Sequence, residues 1–142
     1  MNRIDFLKSL VTKGILLTTP FIPEAREKEL VEVLLYREFV AGFQYADGLK
    51  VLSKMKEGDE LHLVREPENS YDDQAVAVYW NQNRIGYVPA ADNEIPNSFL
   101  MKGLALKSRI DKLDKKAKPW QACQAGIYLL YPEALLQKKA SS

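Results

Sequence analysis

The hydrophobic and polar positions along this chain change period several times. The changes mark out a small domain made mostly of strands. Near the N-terminus Ile4, Leu7, Leu10 and Val11 recur at helical spacing, so Asn2 to Leu17 is expected to form an amphipathic helix with Asn2 as its N-cap. Two prolines break the chain between Thr18 and Pro23, and Glu24 to Leu30 is charged and helix-prone. From Val31 the composition turns to β-branched and aromatic residues, which predicts a long strand over Val33 to Tyr45. Gly42 within it points to a bulge or a close backbone approach. A turn at Ala46-Asp47-Gly48 leads to a short helical stretch, Leu49 to Met55, that turns Val51, Leu52 and Met55 inward.

The second half alternates more regularly. Glu60 to Arg65 reads as a strand with Leu61 and Leu63 on one face and His62, the lone histidine, on the outer one. A polar loop from Arg65 to Asp73 precedes a strand over Ala75 to Trp80. The hairpin turn Asn81-Gln82-Asn83 returns the chain along Arg84 to Val88. Ala91 to Lys102 is expected to be helical, entered through Asp92 or Asn93, with Pro96 in its first turn and Gly103 at its end. Ala105 to Leu113 alternates as a strand, Asp114 to Lys118 is a charged turn, and Trp120 to Tyr131 is the last strand before Pro132. The expected fold class is mainly β with flanking helices (α+β). It is a small, partly open β-barrel of about six strands plus an N-terminal helix. The expected division is an N-terminal helical segment over 1–30, one barrel domain over 31–132 and a polar tail over 133–142.

Composition narrows the function classes. The 142 residues suit one domain with a real core, and 46% hydrophobic and 27% charged residues are ordinary for a globular protein. A net charge of +1 gives no global field toward DNA or membrane, though it leaves room for a small local site. One cysteine, Cys123, excludes an intrachain disulfide and is expected as a small buried strand residue. One histidine and one cysteine cannot make a usual zinc site. No G-x-S-x-G and no G-x-x-x-x-G-K-[ST] occurs, so neither a hydrolase elbow nor a nucleotide-hydrolysing loop is encoded. No enzyme, cofactor or metal is expected. Asp72 and Asp73 could be imagined on Mg²⁺, but adjacent residues at a strand start point different ways. The opening N-R-x-D-F-L-K looks like a twin-arginine export signal lacking its second arginine. Lys13 and Pro20 interrupt the apolar run and no small-x-small cleavage site follows, so the expected location is cytoplasmic, with no membrane span.

The candidate chemistry sits in the loop. Tyr71 and Asp72 place a ring beside a carboxylate at the lip of the expected barrel. That pairing can stack on a flat group and accept a hydrogen bond from a hydroxyl, the two things a nucleotide end offers. The same residues also suit a plain structural role, since Asp and Asn in turns bond the local backbone. A basic run, Lys102, Lys107, Arg109, Lys112, Lys115, Lys116 and Lys118, reads either as a solvated face or as a phosphate track if it lies beside this loop.

The segments VAGFQYADG, GDELHLVREPENSYDDQAVAVYW, RIGYVP and ALKSRI together resemble the HIRAN domain, in the stand-alone form found in bacteria. The resemblance covers roughly Glu38 to Leu130, and its strongest signal is REP-x-N-x-Y-D followed by an apolar strand and IGY-x-P. It implies an OB-like barrel that binds single-stranded DNA, and in relatives of the helicase-like transcription factor kind a free 3′-hydroxyl end. DNA repair or processing, with a protein partner there, is the setting it suggests. Carried over by position, the DNA-binding residues are Tyr45, Tyr71 and Asp72, with Gln44 next to the first; Tyr87, which can still stack, and the strand carrying Lys107 and Arg109 would assist. Gln44 stands where DNA-binding relatives have a basic residue, and Ala90 where they have a lysine. Both departures weaken phosphate contact. The alternative is a protein-interaction domain that kept the barrel and lost DNA binding.

Overall fold

The computed structural model describes residues 30–133. The helix expected over Asn2 to Leu17, the charged segment before Leu30 and the tail after 133 lie outside the described residues. Six strands form one antiparallel sheet in the order β1-β6-β5-β2-β3-β4. They are β1 (Leu30–Phe39), β2 (Glu60–Arg65), β3 (Val76–Trp80), β4 (Asn83–Tyr87), β5 (Leu106–Leu113) and β6 (Cys123–Pro132). Two short helices, α1 (Gly48–Val51) and α2 (Glu94–Met101), and three 3₁₀ turns at Leu52–Lys54, Ala90–Asp92 and Pro119–Gln121 connect them. The sheet does not close into a barrel. Its two edges meet at one bridge, where Ala41, just past β1, exchanges backbone hydrogen bonds of 2.8 and 2.9 Å with Tyr87 of β4.

The strand expected over Val33 to Tyr45 starts earlier and stops at Phe39. Past that point the backbone changes partner. Val40 N–H still reaches Cys123 of β6 at 3.0 Å, and Ala41 has already turned to Tyr87. Gly42 then adopts φ +70°, and its carbonyl accepts from Tyr45 and Ala46 in a tight turn. The irregularity in β1 falls instead at Leu34 and Tyr36, where the register against β6 shifts. Val51 and Met55 are buried as expected, with Leu52 partly so. The last strand begins at Cys123 rather than Trp120, because Pro119 opens a 3₁₀ turn that holds Trp120.

Leu61 and Leu63 of β2 both pack on the core, Leu63 less completely. The opposite face of β2 is covered too. His62 does face away from Leu61 and Leu63, as alternation predicts, but it pairs with Tyr79 of β3 and is largely shielded rather than on the surface. Val76, Ala77, Val78 and Tyr79 of β3 are all buried, the pattern of a strand covered on both sides. The hairpin to β4 turns on Asn81, at φ +52°, and Gln82, while Asn83 already pairs with Trp80. Phe43, Met55, Ile85, Ile110 and Ile127 anchor the core, each worth about 1.5–3 kcal/mol in buried apolar surface. Cys123 lies among them, and burial pushes its thiol up to about 12. No helix of the described residues is long and apolar enough to cross a membrane.

Candidate nucleic-acid interface

The loop between β2 and β3 is fixed by its own polar side chains. Glu66 N–H donates to Ala75 carbonyl at 2.9 Å and closes the base. Asn69 Oδ1 accepts from the backbone N–H groups of Tyr71 and Asp72, at 2.9 and 3.1 Å, so the asparagine sets the bend. Its amide Nδ2 donates to Glu66 Oε1 at 3.0 Å. Tyr71 is left standing at the apex, 97% exposed.

Asp72 is held from two sides. Its Oδ1 accepts from Gln74 N–H at 2.9 Å, and its Oδ2 accepts from Asn93 Nδ2 at 2.7 Å. Asn93 is the residue that opens α2, and it is buried. A second tie fixes the same helix to β2, where Arg65 Nε donates to Asn97 Oδ1 at 2.8 Å. Asp72 therefore clamps the loop to α2. An ionised carboxylate has about four acceptor positions, so these two bonds leave capacity for another donor.

Tyr87 stands at the end of β4, half-buried. Its hydroxyl donates to Glu66 Oε1 at 2.8 Å and accepts from Arg84 Nη1 at 3.1 Å. Burial first, then the bond to Glu66, pushes this phenol up to about 12. The Arg84 guanidinium lies 5.3 Å from the Tyr87 ring centre and 4.0 Å from Glu66 Oε2. Glu66 is thus a hub that joins the Tyr71 loop, through Asn69, to Tyr87 and Arg84.

Tyr45 enters from the segment after β1, which runs beside β4. Ala41 pairs with Tyr87 on one side of it, and Asp47 N–H donates to Arg84 carbonyl at 2.9 Å on the other. Tyr45 is 87% exposed. Gly86 lets the strands come this close: a Cβ there would run into the Ala41 carbonyl and lie 2.6 Å from Val40 Cγ1. Gln44 is half-buried, and its Oε1 has no hydrogen-bond partner among the described residues. Ala90 opens the 3₁₀ turn that precedes α2.

The other two residues singled out in the sequence go elsewhere. Lys107 and Arg109 point outward from β5, since Ser108 and Ile110 between and beside them are buried. Lys107 Nζ lies 3.1 Å from Glu32 Oε1, and Arg109 Nη1 lies 2.6 Å from Glu32 Oε2. The Arg109 guanidinium covers the Tyr128 ring at 3.9 Å and pairs with Asp111, which also binds Arg37 at 2.8 Å. The hydrogen bond from Arg109 holds the Glu32 carboxyl below its ordinary range against the opposing pull of burial. Gly126 has no room for a Cβ, which would meet the Asp111 carboxylate and the Tyr128 ring. The basic run therefore does not form one track beside the Tyr71 loop.

Tyr71, Asp72 and Tyr87 are thus linked through Asn69 and Glu66 at one end of the sheet, with Tyr45 on the segment that runs beside β4, while Lys107 and Arg109 belong to an ion network on its outer face. Sequence reading missed Glu66 and Arg84 as members of the first group. Both lie inside the motifs REP and RIGYVP, but nothing in a linear pattern shows that one carboxylate joins them. Among the described residues no group of three or more His, Cys, Asp or Glu is placed to hold a metal ion.

Comparisons with known proteins agree on the fold. The family model described as HIRAN domain matches residues 34–129. A crystal structure of a Lactobacillus plantarum protein matches with a TM-score of 0.61 and 26% identity, covering 72% of this chain and 98% of that one. The crystal structure of the HIRAN domain of human HLTF matches with a TM-score of 0.58 and 17% identity, over 75% of this chain and 85% of that one. No curated protein matches.

Proposed function

This chain belongs to the HIRAN domain family, and we propose that it is a non-catalytic module that binds single-stranded DNA at its 3′-hydroxyl end. The observation that carries this reading is the exposure of Tyr45 and Tyr71, 87% and 97%, on two segments joined through β4 and Glu66. Large rings so free of packing contribute little to the fold. They offer flat faces on which bases stack, for about 1–3 kcal/mol per base with little sequence preference. Asp72 is held rigid by Gln74 and Asn93 and has acceptor capacity left for a terminal hydroxyl. A phosphate continuing from that position would be repelled by the same charge. Arg84, partly exposed over Tyr87, supplies the cation that Gln44 and Ala90 do not.

Asp72→Ala tests the end-reading step. It should reduce the preference for a free 3′-hydroxyl over a 3′-phosphate. Equal loss on both oligonucleotides would sink that step. One observation favours the alternative of a protein-interaction domain: the Glu66 carboxylate sits among the proposed contacts and opposes phosphate. Under that reading Tyr71→Ala leaves whatever DNA affinity exists unchanged.

A further inference from the structure

The second half of the basic run lies where the first does not. β2 and β5 are antiparallel, with Glu60 opposite Arg109, so the chain past Leu113 emerges at the start of β2. The Tyr71 loop leaves the other end. Six residues of strand put the two ends about 20 Å apart.

At that far end the fold gathers lysines that are distant in sequence. Lys112, Lys115, Lys116 and Lys118 come from β5 and the turn into β6, and Lys54 and Lys56 from the segment before β2. Four bonds hold the two segments together. Lys115 Nζ donates to Ser53 carbonyl at 3.1 Å, and Leu113 N–H to Glu57 Oε1 at 3.1 Å. Gly58 N–H donates to Ile110 carbonyl at 2.8 Å, and Ile110 N–H to Asp59 carbonyl at 2.9 Å. All six lysines are exposed, and among the described residues none forms an ion pair with a carboxylate.

The nearby carboxylates face other donors. Glu57 takes Leu113 N–H, Asp114 takes Lys116 N–H, and Asp59 takes Lys56 N–H and Trp80 Nε1. Next to the lysines stands Trp120, 50% exposed, with Lys118 Nζ 5.6 Å from its ring centre.

We propose that this end is a second single-stranded nucleic-acid contact, with the lysines on phosphates and Trp120 under an unpaired base. Lysines without carboxylate partners can exchange bound counterions for phosphates, and binding of that kind falls steeply with salt. A run of carboxylates alone would also satisfy the charges, but it gives the half-exposed indole no flat partner. A base does, and the ring–cation pair of Trp120 and Lys118 then grips base and phosphate side by side. This contact does not depend on the end-binding site, because it needs no strand terminus.

Circular single-stranded DNA has no 3′ end and isolates the second contact. Binding of circular DNA to the full chain should weaken at least tenfold in the triple variant Lys112→Ser, Lys116→Ser, Lys118→Ser. The slope of log affinity against log salt should flatten by about two, at roughly 0.7 for each phosphate no longer neutralised. Trp120→Ala should weaken it severalfold or more, and thermal unfolding checks that each variant is folded. Tyr71→Ala should leave circular DNA binding unchanged while it weakens linear DNA with a free 3′-hydroxyl, which separates the two sites. Circular DNA bound equally by the parent, the lysine variant and Trp120→Ala would overturn the proposal. So would polyglutamate binding as tightly as circular DNA with Trp120→Ala without effect, since the surface would then be a docking site for acidic protein.

Discussion

Where β2 runs out past Arg65, the chain presents rings and ties Glu66 and Asp72 to polar neighbours; where β2 begins after Asp59, it presents lysines and one half-exposed ring. At the first end Glu66 is shared among Asn69, Tyr87 and Arg84, and Asp72 is tied to Gln74 and Asn93. At the second, six lysines beside Trp120 form no ion pair with a carboxylate among the described residues. The contrast suits a fixed, shape-selective contact at one end and a loose electrostatic one at the other. It also teaches why a net charge of +1 says little. Lys107 and Arg109 are cancelled by Glu32 and Asp111, and among the described residues Lys112, Lys115, Lys116 and Lys118 are not, although the two sets are neighbours in sequence.

The largest expected effect breaks the frame of the first end. Gly86→Ala drives a Cβ into Ala41 and should cost about 2–4 kcal/mol of stability, read from denaturant unfolding. An unchanged midpoint would mean that β4 and the Tyr45 segment need not approach so closely. Tyr71→Ala and Tyr45→Ala sharpen the comparison in the opposite way. Each should leave stability within about 0.5 kcal/mol, because the rings are exposed, and yet cost about 1–3 kcal/mol per base in binding of linear single strands with a free 3′-hydroxyl. Loss of fold in either variant would make the rings structural.

The clamp under the ring end should respond next. Asn93→Ala strips the Asp72 carboxylate of one partner and should cost about 1–2 kcal/mol. It should also blur discrimination between 3′ ends, while binding of circular DNA stays as it was. The smallest effect concerns pH. Tyr87 is neutral in its bond to Glu66 and titrates higher when folded than the ordinary value of 10.0, at about 12. Its contribution is fully present below pH 10 and is lost as pH rises toward 12. A plot of stability against pH should fall across that window and fall less in Tyr87→Phe.

Much of the frame was legible because it rests on local signals. The β3–β4 hairpin announces itself through an apolar alternating run and a polar turn, and α2 through Asn93, Pro96 and Gly103. What failed did so where a distant partner decides. Val40 to Tyr45 has strand composition, but Tyr87 draws Ala41 away from β6, and Phe43 is buried in the turn instead of in a ladder. His62 looks outward by alternation, but β3 brings Tyr79 opposite it. Tyr71 and Asp72 could be picked out from the loop chemistry. The two acceptor bonds on Asp72 could not all be read, since Asn93 lies 21 residues away. Lys107 and Arg109 looked like cations in need of a phosphate, because Glu32 is far off in the chain and adjacent only through β6.

The most direct test of the account is fluorescence-anisotropy binding of the unaltered protein to one short single-stranded DNA bearing either a 3′-hydroxyl or a 3′-phosphate, at low and moderate salt. The account predicts tighter binding of the hydroxyl form at both salt concentrations. Equal affinity for the two forms, or no binding even at low salt, would contradict it.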